Sequence, residues 1–160
     1  SELSGCSGTT SSCGDSQGYT ISDPAHNTRS IFHLAHERFS LHYEDTIVIS
    51  IHGMSGDGVS LSNGTKFAVA EDSVVARLSE ELKFRMGEEH TTTCNSYSTA
   101  NVDERLCGTT NTQGRHLNGS VEPCGDAATS ASERFLHLEQ SIELRENPSH
   151  LISALQTVIR

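Results

Sequence analysis

The sequence predicts an α/β fold in which helices pack against a mixed sheet, an α/β sandwich. Segments of helical and strand-like pattern alternate along the chain, residues 46–51 are short, β-branched and almost wholly apolar, and residues 69–86 repeat apolar side chains at helical spacing. At 160 residues the chain suits one domain, 1–160, with one core, and it contains no internal repeats.

The first predicted helix begins at Asp23-Pro24, since aspartate caps a helix and proline is tolerated in its first turn, and it runs to about residue 39. The disulfide-pinned loop 1–20 precedes it. Its apolar side chains gather on one side, which is expected to face the core: Ile31, Phe32, Leu34, Ala35 and Phe39. His33 and His36 fall on the opposite side with Glu37, where they are expected to be solvated rather than to bind metal.

Two strands are predicted next. Thr46–Ile51 is nearly all apolar, so it is expected inside a sheet and buried on both faces. No neighbouring strand is evident before it, and the fold is therefore expected to be incomplete alone or to have an edge that another segment or chain covers. Val59–Ser62 is a second strand, which closes at the turn signal Asn63-Gly64.

The second half of the chain is predicted to contain two helices separated by strands and one long loop. A helix covers Val69–Met86 and stops at Gly87, and residues 91–96 are a candidate strand. Residues 101–129 form a long Gly- and Asn-rich loop, and loops of that length are usually functional or disordered. A strand around 135–139 and a helix that begins at Asn147-Pro148 complete the chain.

The composition argues against two kinds of partner and against a membrane-spanning segment. The formal net charge of -10 argues against nucleic acid or an anionic membrane as partner. No apolar run approaches transmembrane length, and there is no signal peptide, so an exported protein would be in its processed form.

The five cysteines favour an oxidising compartment and hence an extracellular, secreted protein. Two disulfides are predicted, Cys6–Cys13 and Cys107–Cys124, because each pair brackets a polar loop with little apolar content to hold it. Neither pair has the short spacing of a zinc ribbon or a redox motif. Cys94 is left over and is buried, free or paired to another chain.

Glu139 is the leading candidate for catalysis. Phe135, His137 and Glu139 fall on one face of the predicted strand, and open α/β sheets place their chemistry at the carboxyl ends of strands. An acidic residue there is costly unless something uses or satisfies it. Glu139 is therefore a candidate general base, with Arg115 as partner of a substrate carboxylate. The alternative is a buried glutamate paired to Arg115 or Arg134 for structural reasons.

Taken in order, His26, His52, Arg115 and Glu139 resemble the site of zinc-dependent carboxypeptidase-like amidohydrolases, in particular the poly-γ-glutamate hydrolases and the N-formylglutamate amidohydrolase-like enzymes. The family's zinc-binding histidine element resembles Asp23-Pro24-Ala25-His26, and its strand that ends in His-Gly resembles Ile51-His52-Gly53. The resemblance covers most of the chain, from His26 to the carboxyl end.

The rest of the family pattern lies in the second half of the chain. An Asn and an Arg near the substrate carboxylate are loosely matched by Asn111 and Arg115, and a Leu-Glu-x-Ser-x-x-x-Arg pattern is matched by residues 138–145. The resemblance implies a phosphorylase/hydrolase-like fold and a zinc ion. It also implies that His26 is a metal ligand, that Glu139 and His52 are catalytic, and that Arg115 and Asn111 bind substrate.

One departure from the family concerns the first two zinc ligands, a histidine and an acidic residue on an earlier strand. Only loop-like sequence precedes His26, so the chain is expected to be the carboxyl-terminal portion of such a domain, completed by another chain or segment. Two functions follow: a zinc-dependent hydrolase of amide bonds in acidic, glutamyl-type peptides, or an extracellular binding or assembly domain on the same scaffold. A metal-free hydrolase with a Ser-His pair is a third reading, without support from a Gly-x-Ser-x-Gly motif.

Overall fold

The computed structural model describes residues 13, 18–95 and 106–159. Five α-helices lie in these ranges: α1 (Ile31–His42), α2 (Val74–Met86), α3 (Thr112–Leu117), α4 (Ile142–Glu146) and α5 (Ser149–Val158). The strands in the same ranges are β1 (Val48–Gly53), β2 (Val59–Ser62), β3 (Thr91–Thr93) and β4 (Phe135–Gln140).

The four strands form one mixed sheet in the order β1-β4-β2-β3. β4 runs parallel to β1 and antiparallel to β2, and β2 runs parallel to β3. α2 and α5 pack against each other on one face of this sheet, while α3 contacts β4 and α1 contacts α3. The predicted α/β sandwich with a mixed sheet is confirmed.

The hydrophobic core lies between the sheet and the helices α2 and α5. Its sheet side comes from β2 and β4, and its helix side from side chains at helical spacing: Leu61, Leu136 and Leu138, with Leu78, Leu82, Leu151 and Ala154. All of these are less than 5% exposed. Burying an aliphatic side chain of this size contributes roughly 1.5–3 kcal/mol, so this layer holds the sheet rigid beneath the opposite face.

The opposite face of the sheet is polar. Residues paired across neighbouring strands project to the same side, and β4 alternates Phe135, His137 and Glu139 on that side. The strands next to it contribute Ser50 and His52 from β1, and Ser60 and Ser62 from β2. The sheet therefore has one apolar face, which packs in the hydrophobic core, and one polar face, which carries the candidate functional residues.

The first predicted helix is interrupted, because two residues cap two separate helical segments. The Asp23 carboxylate accepts from the backbone N–H of Ala25, but that 3₁₀ turn ends at His26. The Ser30 hydroxyl then accepts from His33 N–H and starts α1.

The predicted orientation of α1 is wrong. Its apolar side chains are exposed, Ile31 by 87% and Phe32 by 57%, whereas His33 and His36 are buried. The histidine side is the one that packs against α3, where Gln113 and Thr112 hydrogen-bond to His33. Satisfied polar groups thus decide which side of α1 is buried.

β1 is an edge strand, so its predicted interior position is also wrong. Within the described residues it pairs only with β4, and Ile51 is 57% exposed. Ile47 and Ile49 pack against the core from one face, which explains the apolar run without a second neighbour. The expectation that another segment covers this edge stays a prediction.

Several element boundaries agree with the sequence prediction and others shift. β2 matches its predicted range, and α2 ends at Gly87 as predicted but begins later, where Ser73 caps it. The predicted long loop contains the short helix α3, and α4 precedes the predicted final helix. Most of the predicted loop 1–20 lies outside the described residues.

The cysteines pair differently from the prediction. Cys13 bonds to Cys124 and Cys94 bonds to Cys107, while Cys6 lies outside the described residues. The predicted pairing assumed neighbours in sequence, but Cys94 directly follows β3 and is brought to Cys107 by the fold. Two disulfides fit a secreted protein. In the described part of the chain, none of the helices has the length and apolar character required to span a membrane.

Candidate functional site

Two adjacent parallel strands bring His52, His137 and Glu139 together. His52 and Glu139 are register partners, and His137 precedes Glu139 by two residues on the same face. One ligand atom from each side chain lies within 4.8 Å of the others. The ring centroids of His52 and His137 are 4.7 Å apart, and His137 Nε2 lies 3.8 Å from Glu139 Oε1. We call these three residues the strand-end cluster.

The strand-end cluster opens on a cleft of about 500 Å³ through Glu139. The cleft is lined by Gly53, Met54, Ser55, Gly56, Asp57, Thr92, Leu106 and Glu139. Gly53 ends β1, and four of these residues, Met54 to Asp57, belong to the loop that follows it. The Glu139 side chain is 12% exposed, so it is reachable from the cleft yet largely removed from water.

Burial sets the protonation states of the strand-end cluster. Desolvation raises the pKa of Glu139 to about 6. Desolvation, with added repulsion from His52 and His26, lowers the pKa of His137 to about 3. Burial also lowers the pKa of His52, against the attraction of Asp23. At neutral pH both imidazoles are therefore uncharged and able to donate to a metal, and the carboxyl titrates close to the operating pH.

Asn111 orients His52 through Ser50. Its Oδ1 accepts the backbone N–H groups of Gln113 and Gly114 as the cap of α3, which directs Nδ2 away from the helix. Nδ2 donates to Ser50 Oγ at 3.1 Å, and that oxygen lies 2.8 Å from His52 Nε2. Asn111 was predicted to bind substrate, and the structure places it as a positioning residue for His52.

His137 was missed as a site residue in the sequence, although its alternation with Glu139 placed both on one face. A histidine in a strand is more often a satisfied core residue than a ligand, and the pattern alone carries no further signal. Among the described residues, His137 Nδ1 and Ser60 Oγ are buried without a hydrogen-bond partner. Ser60 is the register partner of Glu139. Unpartnered buried polar atoms are costly, and a bound group in this position would satisfy them.

Gly108 holds the other side of the His137 ring. It adopts φ +64°, and a Cβ added there would lie 2.5 Å from His137 Cδ2. We therefore expect Gly108→Ala to displace the ring and to destabilise the protein by about 1–3 kcal/mol, measured as the free energy of unfolding. Gly125→Ala is the matched control, since a Cβ there meets nothing within 4 Å. Equal stability of the two variants would contradict this role for Gly108.

His26 lies beside the strand-end cluster. Its Nδ1 is 2.9 Å from Asp23 Oδ2 and its Nε2 is 2.9 Å from Thr110 Oγ1, while the ring stacks on Tyr19. Its charge is one of the causes that lower the pKa values of His52 and His137, but its ring is not among the ligand groups that lie within 4.8 Å of one another.

Arg115 is positioned differently from the predicted substrate-binding residue. It is fully buried, its Nε donates to Thr109 O at 2.9 Å, and its Nη1 donates to the carbonyls of Pro123 and Cys124. These contacts tie residues 109, 123 and 124 to α3 and leave the guanidinium away from solvent, and substrate binding by Arg115 stays a prediction. The alternative partner of Glu139 was Arg134. Its Nη2 donates instead to the backbone carbonyls of Ser40, in the last turn of α1, and of Tyr43, which follows α1.

Arg145 packs against Gly53 on the side of β1 opposite to His52 and Glu139. Its Nη1 lies 2.7 Å from the position that a Cβ on Gly53 would take, and Gly53 lines the cleft. The side chain is otherwise exposed. The sequence pattern 138–145 ends in this arginine, but the pattern gave no reason to prefer it over Arg115.

Comparison of the chain with protein-family models, with curated proteins and with solved structures finds no match. The function is therefore inferred from the chemistry of the site. Two neutral imidazoles beside a desolvated carboxyl group that lines a cleft are groups that can bind a metal and move a proton.

Proposed function

We propose that this protein is a zinc-dependent hydrolase of amide bonds in acidic, glutamyl-type peptides. The observation that carries the proposal is the strand-end cluster, His52, His137 and Glu139, at the carboxyl ends of two parallel strands and beside a cleft. Ligand clefts in α/β sheets lie at this end of the strands.

The residues fit a zinc ion by their donor chemistry. His52 and His137 are neutral, and His137 Nδ1 has no partner among the described residues. His26 is the proposed third ligand: its Nδ1 contacts Asp23, the carboxylate partner that metal-binding imidazoles commonly have, and its Nε2 would exchange Thr110 for the metal. When bound, zinc would act as a Lewis acid on the substrate carbonyl.

Glu139 is the proposed general base. Its carboxylate would accept a proton from the attacking water and deliver it to the leaving amine, so that no other residue has to supply the proton. A pKa near 6 suits both transfers, because the group is ionised at neutral pH but not strongly acidic.

The proposed substrate class rests on Arg145. In a chain of net charge -10, an anionic substrate requires a local cation. The exposed Arg145 guanidinium lies beside Gly53, and it would reach around the end of β1 to pair with a substrate carboxylate in a bidentate manner.

The test is hydrolysis of α- and γ-glutamyl peptides by protein that has been stripped by a chelator and then supplied with zinc. We expect activity to disappear on stripping and to return with zinc. Arg145→Gln should raise KM about tenfold with little change in kcat, whereas Arg77→Gln, an exposed arginine on α2, should change neither. Activity that survives stripping but is abolished by Ser50→Ala would overturn the metal mechanism in favour of the Ser50–His52 pair.

A binding or assembly domain is the second candidate function. Ile51 is exposed on the open edge of β1, and Ile31 and Phe32 are exposed on α1. Apolar side chains in such positions are typical of surfaces that meet another chain. A protein without zinc and without hydrolytic activity that self-associates in light scattering would favour this function.

A further inference from the structure

A second group of histidines lies between α1 and α3, outside the strand-end cluster. His33 and His36 are one turn apart on α1, and His116 comes from the last turn of α3. The ring centroids are 6.3 Å apart for His33 and His36, 6.2 Å for His33 and His116, and 5.8 Å for His36 and His116. We call these three residues the imidazole triad.

His36 has an unsatisfied nitrogen inside the triad. The residue is 9% exposed, and within the described residues its Nε2 has no hydrogen-bond partner. The backbone of Gln113 hydrogen-bonds to the same imidazole, and that bond therefore falls on Nδ1. Metal-binding histidines commonly donate one ring N–H to a backbone carbonyl and keep the other nitrogen for the metal.

His33, unlike His36, has a partner at each of its ring nitrogens. It is 2% exposed, its Nδ1 lies 3.0 Å from Gln113 Nε2, and its Nε2 lies 3.3 Å from Glu37 Oε1. Glu37 supplies a negative charge next to the triad, and a metal bound to His33 would take the place of one of these two contacts.

We propose that the imidazole triad is a second metal site, which binds Zn²⁺ through His33, His36 and His116. Three nitrogen donors suit zinc and disfavour Mg²⁺ or Ca²⁺, which prefer oxygen. The inference is independent of the proposed hydrolase activity.

Zinc binding requires the triad to close slightly. Its ligand nitrogens are spread more widely than the 4.8 Å that encloses those of the strand-end cluster. Zinc–nitrogen bonds of about 2.0–2.1 Å would place the ring centroids roughly 5 Å apart, so each pair has to approach by about 1 Å. His116 is only partly buried and is the ring that can rotate.

The consequence of such a site is a clamp between α1 and α3. α3 also presents Asn111, which orients His52 through Ser50. A zinc ion in the triad would therefore stabilise the helix that positions one ligand of the strand-end cluster.

The test is zinc stoichiometry by equilibrium dialysis on a His137→Asn background, which disables the strand-end cluster. We expect this variant to retain one tightly bound zinc ion, and His137→Asn with His116→Asn to bind it more than about 100-fold more weakly. His42→Asn on the same background is the matched control, because His42 is an exposed histidine of α1 outside the triad, and it should keep the ion.

Cobalt provides a second, spectroscopic measurement on the same variants. Co²⁺ added to His137→Asn should give the visible absorption of a nitrogen-ligated tetrahedral ion, lost when His116 is replaced. Absence of bound zinc and of this absorption in folded His137→Asn overturns the proposal, as does unchanged affinity after His116→Asn.

Discussion

Replacing Glu139 with glutamine is expected to lower kcat by roughly 100- to 10,000-fold while the zinc content stays unchanged. Glutamine keeps the shape of the side chain but cannot accept a proton from water. Because burial raises the pKa of Glu139 to about 6, the neutral amide also removes a desolvation cost, so the melting temperature should not fall. The measurements are steady-state kinetics, metal analysis and thermal unfolding on the same preparation.

Glu143→Gln is the control for this experiment. Glu143 is exposed in the first turn of α4, four residues after Glu139, and its replacement should leave kcat as it is. If Glu139→Gln loses zinc together with activity, Glu139 is a metal ligand and the base has to be sought elsewhere.

Lowering the pH from about 7 to about 5 is expected to reduce the free energy of unfolding of the metal-free protein by roughly 3 kcal/mol. The folded-state pKa values of His36 and His137, about 4 and about 3, lie below the usual 6.5, so the unfolded chain binds more protons in this range. Each of these two histidines then contributes a loss of about 2 kcal/mol. Glu139 acts in the opposite direction by about 1 kcal/mol, because its folded-state pKa is raised from 4.5 to about 6.

The contribution of His36 to this pH-dependent loss of unfolding free energy can be measured separately. His36→Asn should reduce the difference in unfolding free energy between the two pH values by about 2 kcal/mol, and His42→Asn should leave the difference as in the wild type. Urea unfolding at both pH values in the presence of a chelator measures it. A His36→Asn variant with the wild-type acid sensitivity would show that folding does not lower the pKa of His36.

The sequence predicted those parts of the fold whose pattern is set by burial on a regular element. β2, most of α2, and the strand that carries Glu139 follow from the alternation of side chains between two faces, helical spacing and the stop at Gly87. The same logic failed for α1, because His33 hydrogen-bonds to residues of α3 and the histidine side of α1 is buried in place of Ile31 and Phe32. Such compensation depends on contacts distant in sequence.

The candidate site, too, was predicted only where local sequence patterns locate its residues. Glu139 and His52 lie at strand ends, which sequence patterns locate, and parallel pairing brings them side by side. The disulfide partners and the role of Asn111 depend on contacts between residues distant in sequence. α3 has only six residues, too few to show the apolar periodicity that predicts a helix. The sequence predicts an anion site at Arg115, but it does not show that the guanidinium is buried against three backbone carbonyls.

The most direct test of the account is the zinc content and activity of His52→Asn with His137→Asn, compared with His116→Asn. The account predicts two zinc ions per chain in the wild type. His116→Asn should keep one ion and most of its hydrolytic activity, and the double variant should keep one ion and have no activity. A double variant that retains the wild-type zinc content, or that still hydrolyses glutamyl peptides, would contradict the assignment of the strand-end cluster as the metal centre of a hydrolase.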